Sequence, residues 1–193
     1  TPAFFHQPHS KEDSNWHTIV QLTHMYGYDG TNADHLTHAT IEGRQQVQEG
    51  VHVMQHVPEL AGVELVSTAA QLGVRETRLI QGEYILTGDE LQAGKVFPDH
   101  IGFIKEGKSV PYRALVPQKI DGLLIAGRPI SQDHSAVEAT RSIPPCFVTG
   151  FAAGVAAAQA VRTGRAPREL DVPQLQQRLR DDGVVFPPDD LTR

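Results

Sequence analysis

A single cysteine, Cys146, stands among 193 residues. It excludes an internal disulfide framework and any cysteine-built zinc or iron–sulfur centre, and leaves the redox compartment open. Positive charge is scarce as well. Seventeen Lys and Arg against 23 Asp and Glu give a formal charge of −6, which offers no electrostatic grip on phosphates and excludes nucleic acid as a partner. No basic segment followed by an apolar core opens the chain, whose first residue is Thr1. The expectation is a processed chain or a fragment, soluble, with the cytoplasm favoured and any address label illegible. No internal repeat or low-complexity tract is present. What remains is ordinary globular composition, 39% apolar and 21% charged with mean hydropathy −0.30. That supports a core and one domain, or one and part of another, at roughly 100–200 residues per domain.

The first thirty or so residues carry Pro2, Pro8, Gly27 and Gly30 among scattered aromatics (Phe4, Phe5, Trp16, Tyr26, Tyr28) and read as loop, mobile or covered by a partner. Thr37 is placed to cap a helix over 38–56, with Ile41, Val47, Val51 and Met54 near one face and Pro58 ending it. Val63, Leu65 and Val66 predict one strand, and Leu79, Ile80, Tyr84 and Ile85 another, about a turn near Gly73. Thr87 and Glu90 have capping-box spacing for a short helix stopped by Gly94. Leu123, Leu124, Ile125 and Ala126 predict a buried strand after the Asp121-Gly122 turn. Helices follow over 145–162 and 171–181, the latter with Asp171 as N-cap, Pro173 in its first turn and Gly183 beyond its end.

Ten histidines include the pairs His6/His9, His35/His38 and His52/His56. None has a third ligand, and Val53 stands where a zinc-peptidase helix carries glutamate, so no metal site is expected. The run 143–161 is apolar apart from Thr149 and Gln159, and contains Gly150-x-x-x-Gly154, a close-packing motif of membrane helices. It has only about the minimum spanning length, opens with prolines and leans on weakly hydrophobic alanines. A helix buried against a sheet explains it better than a membrane partner does.

The chemistry concentrates in one stretch: the apolar strand 123–126, Gly127 and Arg128, a polar loop with Ser131, Gln132, Asp133 and His134, then Arg141, Pro144, Pro145 and a small-residue helix. A strand whose carboxyl end feeds a glycine and whose next helix points back at it is where open α/β sheets bind ligands. Glycine admits a close approach, and the N–H groups of a helix start favour an electron-rich group. Cys146 at that helix start is either an activated thiol or a small packing residue, and no second thiol is available for disulfide chemistry.

Six blocks in order, Gly73-Val-Arg-Glu-Thr77, Gly82-Glu-Tyr84, Pro111-Tyr-Arg113 with Leu115-Val-Pro117, Leu123-Leu-Ile-Ala-Gly-Arg128 with Ser131 and His134, Gly150-Phe-Ala-Ala-Gly154 and Arg168-Glu-Leu-Asp171, give the chain its family likeness. Over about residues 35–182 it resembles the carboxyl-terminal half of FAD-dependent oxidoreductases in the glutathione-reductase-like flavoprotein superfamily. The resemblance implies an α/β fold: the carboxyl-terminal part of a Rossmann-like FAD-binding domain plus a mixed-sheet substrate-domain segment. The expected division is a loop-rich segment 1–36, a substrate-domain portion 37–113, an FAD-domain portion 114–165 and a terminal helix and tail 166–193. By matched position, Gly127 and Arg128 lie along the ribityl chain or diphosphate, and Pro144, Pro145, Cys146 and Phe147 face flavin N1 and O2, the edge that turns negative on reduction. A small-molecule substrate would give hydride to the flavin beside Arg75, His134 and Arg141. Each of these has a plainer alternative: an ion pair of Arg75 or Arg78 with Glu76 or Glu83, a hydrogen-bonded loop histidine, and a salt bridge of Arg141 to Glu138. The family's opening strand, Gly-x-Gly-x-x-Gly turn and helix are absent from this sequence. An amino-terminal FAD-binding polypeptide or segment is therefore the expected partner, across the bare helix face from Gly150 to Ala158. The alternative is a non-catalytic interaction module derived from the same fold.

Overall fold

The structure, a computed structural model, describes residues 3–7, 17–105 and 107–186. It contains two compact units, Thr1–Val74 and Arg75–Arg193.

In the first unit, β1 (Ala3–Gln7) pairs antiparallel with β2 (His17–Gln21), setting Phe4 opposite Val20 and Phe5 opposite Ile19. This corrects the loop expected there: aromatic and β-branched residues in register favour a strand pair even where no long alternation announces it. Trp16 and His9 lie outside the described residues. Helix α1 (Ala33–Gln55) starts earlier than its periodicity predicts, because Asn32 is the cap: its side-chain oxygen accepts from the N–H groups of Asp34 and His35. Thr37 lies inside the helix and donates its hydroxyl to Ala33 O at 2.9 Å. Ala39 and Gly43 are buried, and Met25 and Leu22 lie over Gly43 and Gly50. A 3₁₀ turn, Pro58–Leu60, follows. Val63, Leu65 and Val66 form no strand, and Val66 is 76% exposed.

In the second unit, Thr87 and Glu90 close the capping box of α2 (Gly88–Gln92), as their spacing predicts. The antiparallel pair β3 (His100–Lys105) and β4 (Lys108–Pro111) was not legible in the sequence, since Gly102 and the charged turn interrupt its alternation. A 3₁₀ turn (Tyr112–Leu115), α3 (His134–Thr140), α4 (Ile143–Thr163), a second 3₁₀ turn (Pro167–Glu169) and α5 (Val172–Asp181) complete the unit. Gly164, with φ of +65°, ends α4, and the Asp171 side chain caps α5. Helix α4 packs across β3, α5 against both, and α2 against α3. Between them lies a core that includes Leu86, Phe97, Ile101, Leu115, Ile130 and Leu175.

Both sheets among the described residues are two-stranded and antiparallel. The unit is thus helix plus small sheet, compatible with an α/β class. The expected buried strand 123–126 is instead an extended, partly exposed segment with one ladder bond, Ile125 N–H to Leu115 O at 2.8 Å. Residues 79–86 likewise form no strand; they bend at Glu83 and Tyr84 and are held by bridges from Gly82 to Pro117 and, in parallel sense, from Leu86 to Gln132.

Candidate functional site

The blocks that stand apart in the sequence meet in the second unit. Gly82 opposes Pro117 so closely that a Cβ on it would lie 2.7 Å from Ser131 Cβ and 3.0 Å from the Val116 carbonyl, which is why glycine is required there. Arg168 joins the next pair of blocks: its guanidinium meets Glu83 at 3.2 Å and Asp121 at 2.6 Å and donates to Pro117 O at 3.1 Å. It therefore fixes the turn from which the 123–126 segment departs.

That segment ends at Gly127, whose φ of +78° suits glycine alone. The Gly127 N–H donates to Thr149 Oγ1 at 3.0 Å, Thr149 donates in turn to Pro145 O at 3.0 Å, and a Cβ at Gly127 would stand 3.8 Å from Cys146 Sγ. The turn and the amino end of α4 thus converge. Thr149 was missed as a site residue, yet the sequence carried its signal as one of two polar interruptions in an apolar run. The other, Gln159, donates to Asp171 O and Gln174 Oε1, tying α4 to the start of α5.

The matched residues split between two directions at this helix end. Pro145 is buried and Cys146 half-buried, with its thiol directed to the carbonyls of Thr140 and Arg141, whereas Pro144 is exposed and Phe147 73% exposed. Ser142 makes no side-chain cap, and Pro144 and Pro145 remove two of the four N–H groups that a helix start leaves open. What the helix end offers is chiefly its dipole. Arg128 is exposed beside the turn, and its carbonyl accepts from Gln132 Nε2 at 2.9 Å.

Asp133 organises the polar loop. Its carboxylate accepts from the N–H groups of Ala136 and Gly88 and from the Ser135 hydroxyl. Burial opposes its charge, but these donors prevail and hold it below the usual carboxylate range. The helix so capped, α3, begins at one remaining candidate, His134, ends at a second, Arg141, and carries the carboxylate that the third, Arg75, meets. His134 Nδ1 lies 2.5 Å from Glu76 Oε2, Arg141 grips Glu138 with Nη2 2.9 Å from each carboxylate oxygen, and Arg75 reaches the same carboxylate at 3.6 Å. Arg75 and Arg141 are therefore brought together on one carboxylate, Glu138, while His134, one turn away on the same helix, pairs with Glu76. The sequence alone offers Glu76 as a partner for arginine; 58 residues separate it from His134, and no local pattern reports such a pairing.

Among the described residues, no three His, Cys, Asp or Glu side chains gather as a metal site. One cavity of about 390 Å³ lies beside Gln159, Arg165 and Asp171, and another of about 230 Å³ is lined by Ile80, Ile120, Leu123 and Ile125; neither is lined by Gly127 or His134.

A family model described as FAD dependent oxidoreductase matches residues 3–108 and 104–179. No curated protein and no solved structure matches the chain. The two matched spans take in nearly the whole sequence and all six blocks, and the chain belongs to the FAD-dependent oxidoreductases, a family whose cofactor is FAD.

Proposed function

We propose that this chain supplies the flavin-edge and substrate-side part of a flavoprotein oxidoreductase that takes hydride from a small-molecule substrate. The reading is carried by one observation: the turn at Gly127 and the amino end of α4 meet, linked through Thr149. The flavin end of FAD suits these residues on three counts. Gly127 has no Cβ to obstruct a flat ring, the segment is partly exposed, and a 21-residue helix aims its positive pole at the same spot. The nucleotide end finds no glycine-rich cradle in this sequence. It is assigned to an amino-terminal partner or segment seated on α4, whose Phe147, Gly150, Phe151, Gly154, Ala158 and Val161 form an exposed apolar stripe.

Bound FAD supplies the hydride-accepting ring. The chain's own work is to seat that ring at Gly127, Arg128 and the start of α4, to set a positive field along the edge that gains charge, and to hold His134 and Arg141, at the two ends of α3, and Arg75, paired to Glu138 of α3, toward the substrate. The finer kinship, to the glutathione-reductase-like superfamily with a Rossmann-like domain, belongs to the same proposal and rests on the six blocks.

The test is coexpression with the open reading frame that encodes a strand, Gly-x-Gly-x-x-Gly turn and helix. Native mass spectrometry of the complex should report one FAD, and its absorption spectrum should be that of a flavin. Gly127→Val should abolish the colour while leaving helix content by circular dichroism intact. A flavin-free complex sinks the proposal.

A further inference from the structure

The contact between Glu76 and His134 is more specific than a surface ion pair. An ionised carboxylate only accepts hydrogen bonds, so a Glu76 Oε2 that lies 2.5 Å from Nδ1 calls for the proton on Nδ1, and in the neutral ring Nε2 is then the acceptor. The two partners differ sharply in exposure: the Glu76 side chain retains 23% and His134 92%, so a sheltered carboxylate orients an imidazole whose other nitrogen faces solvent. His134 is also fixed from its backbone, as the first residue of α3 directly after the Asp133 cap. At the far end of this seven-residue helix, the carbonyls of Thr140 and Arg141 meet the Cys146 thiol, so α3 spans the distance of about 10 Å from the dyad to the start of α4. Glu138, one turn along from His134, is held by Arg75 and Arg141 and leaves Glu76 free of both arginines.

We infer that Glu76 is the positioning residue of a Glu–His dyad in which His134 Nε2 accepts the proton of a substrate O–H or N–H. The inference rests on the reading of the adjoining turn as the flavin edge. The proton passes from the substrate heteroatom to Nε2, the imidazolium so formed is stabilised by the Glu76 carboxylate across Nδ1–H, and the exposed ring returns the proton to water. The substrate class this selects is one whose oxidised carbon bears a hydroxyl or amine.

The decisive measurement is the tautomer of His134, read from ¹⁵N shifts of the full chain at about pH 9, well above the ordinary imidazole range. The wild-type chain should show the Nδ1–H form. Glu76→Gln keeps an acceptor oxygen and should retain that form, whereas Glu76→Ala should revert to the Nε2–H form that free imidazole side chains prefer. A wild-type Nε2–H form, or a tautomer indifferent to Glu76→Ala, overturns the dyad. In the flavin-loaded complex, Glu76→Ala should slow flavin reduction by an alcohol or amine substrate roughly tenfold, less than the ~10²–10⁴-fold that a general base itself contributes, with Glu76→Gln between it and wild type. Equal rates in all three overturn the catalytic role even if the tautomers behave. A complex that binds no FAD would refute the proposed function while the tautomer result still judges the dyad.

Discussion

His100, only 2% exposed, lies in β3 against the Phe186 ring at 4.9 Å, and its Nδ1 has no hydrogen-bond partner. Burial, and secondarily the Arg180 cation on α5, push its pKa below the ordinary 6.5, while Asp99 pulls weakly the other way. The folded chain therefore keeps His100 neutral where the unfolded chain already binds a proton. Stability falls as pH drops below about 6.5 and levels off only beneath the lowered native value. Denaturation midpoints measured between pH 8 and pH 5 should show this decline, and His100→Leu should flatten it. Glu90 adds a second, more acidic loss: burial disfavours its charge, but bonds from Lys95, Tyr84 and the Thr87 N–H outweigh that and hold its carboxyl at about 2. A depressed carboxyl stabilises at neutral pH, and that contribution disappears as pH falls from about 4.5 toward 2. A third residue, Tyr112, is buried and donates its hydroxyl to Pro167 O at 2.9 Å. Tyr112→Phe should cost about 1–2 kcal/mol in urea unfolding, because it leaves that carbonyl without its donor.

Elements whose ends are written locally are legible in the chain itself. Thr87 with Glu90 fixes α2, and Asp171, Pro173 and Gly183 bound α5, because capping and chain reversal depend on residues a few positions apart. The pairing of β3 with β4, the bridge from Gly82 to Pro117 and the contact of Glu76 with His134 are not legible there, since each is decided by partners that only the folded chain brings together. Even so, the blocks carrying Gly82, Pro117 and Arg168 stand out by resemblance, and their mutual contacts give the physical reason. Gly82→Ala should therefore cost about 1–3 kcal/mol, since its methyl would meet the Val116 carbonyl and Ser131, neither of which can swing aside. Arg168→Ala should lower stability by about 1 kcal/mol and, more tellingly, speed amide exchange across 117–126 as the turn loses its guanidinium anchor.

At the scale of the molecule, α4 has two faces of different meaning. Ala152 and Ala156 are fully buried in the core, whereas Phe147, Phe151 and Val161 stand in solvent. Although this helix is long and apolar enough to cross a membrane, its inner face belongs to a protein core. Ala156→Leu should destabilise the chain by about 1–3 kcal/mol through overpacking. Phe147→Ser with Phe151→Ser should leave thermal unfolding almost unchanged and, if an amino-terminal partner is seated on this stripe as proposed, should weaken its binding, as titration calorimetry would report. The candidate site is legible to the same two-sided degree: the meeting of Gly127 with the helix start is suggested by the glycine and the small-residue pattern although the strand expected before it does not form, whereas the carboxylate partners around α3 depend on contacts across the fold.

The paired prolines at the mouth of α4 carry one more consequence. A helix start normally offers its guest four directed donors; with Pro144 and Pro145 mute, this one keeps two, and its attraction comes more from the dipole than from bonds that name particular atoms. A ring seated there as proposed would be less tightly oriented at this edge, and its alignment would fall more to the groups holding its other end.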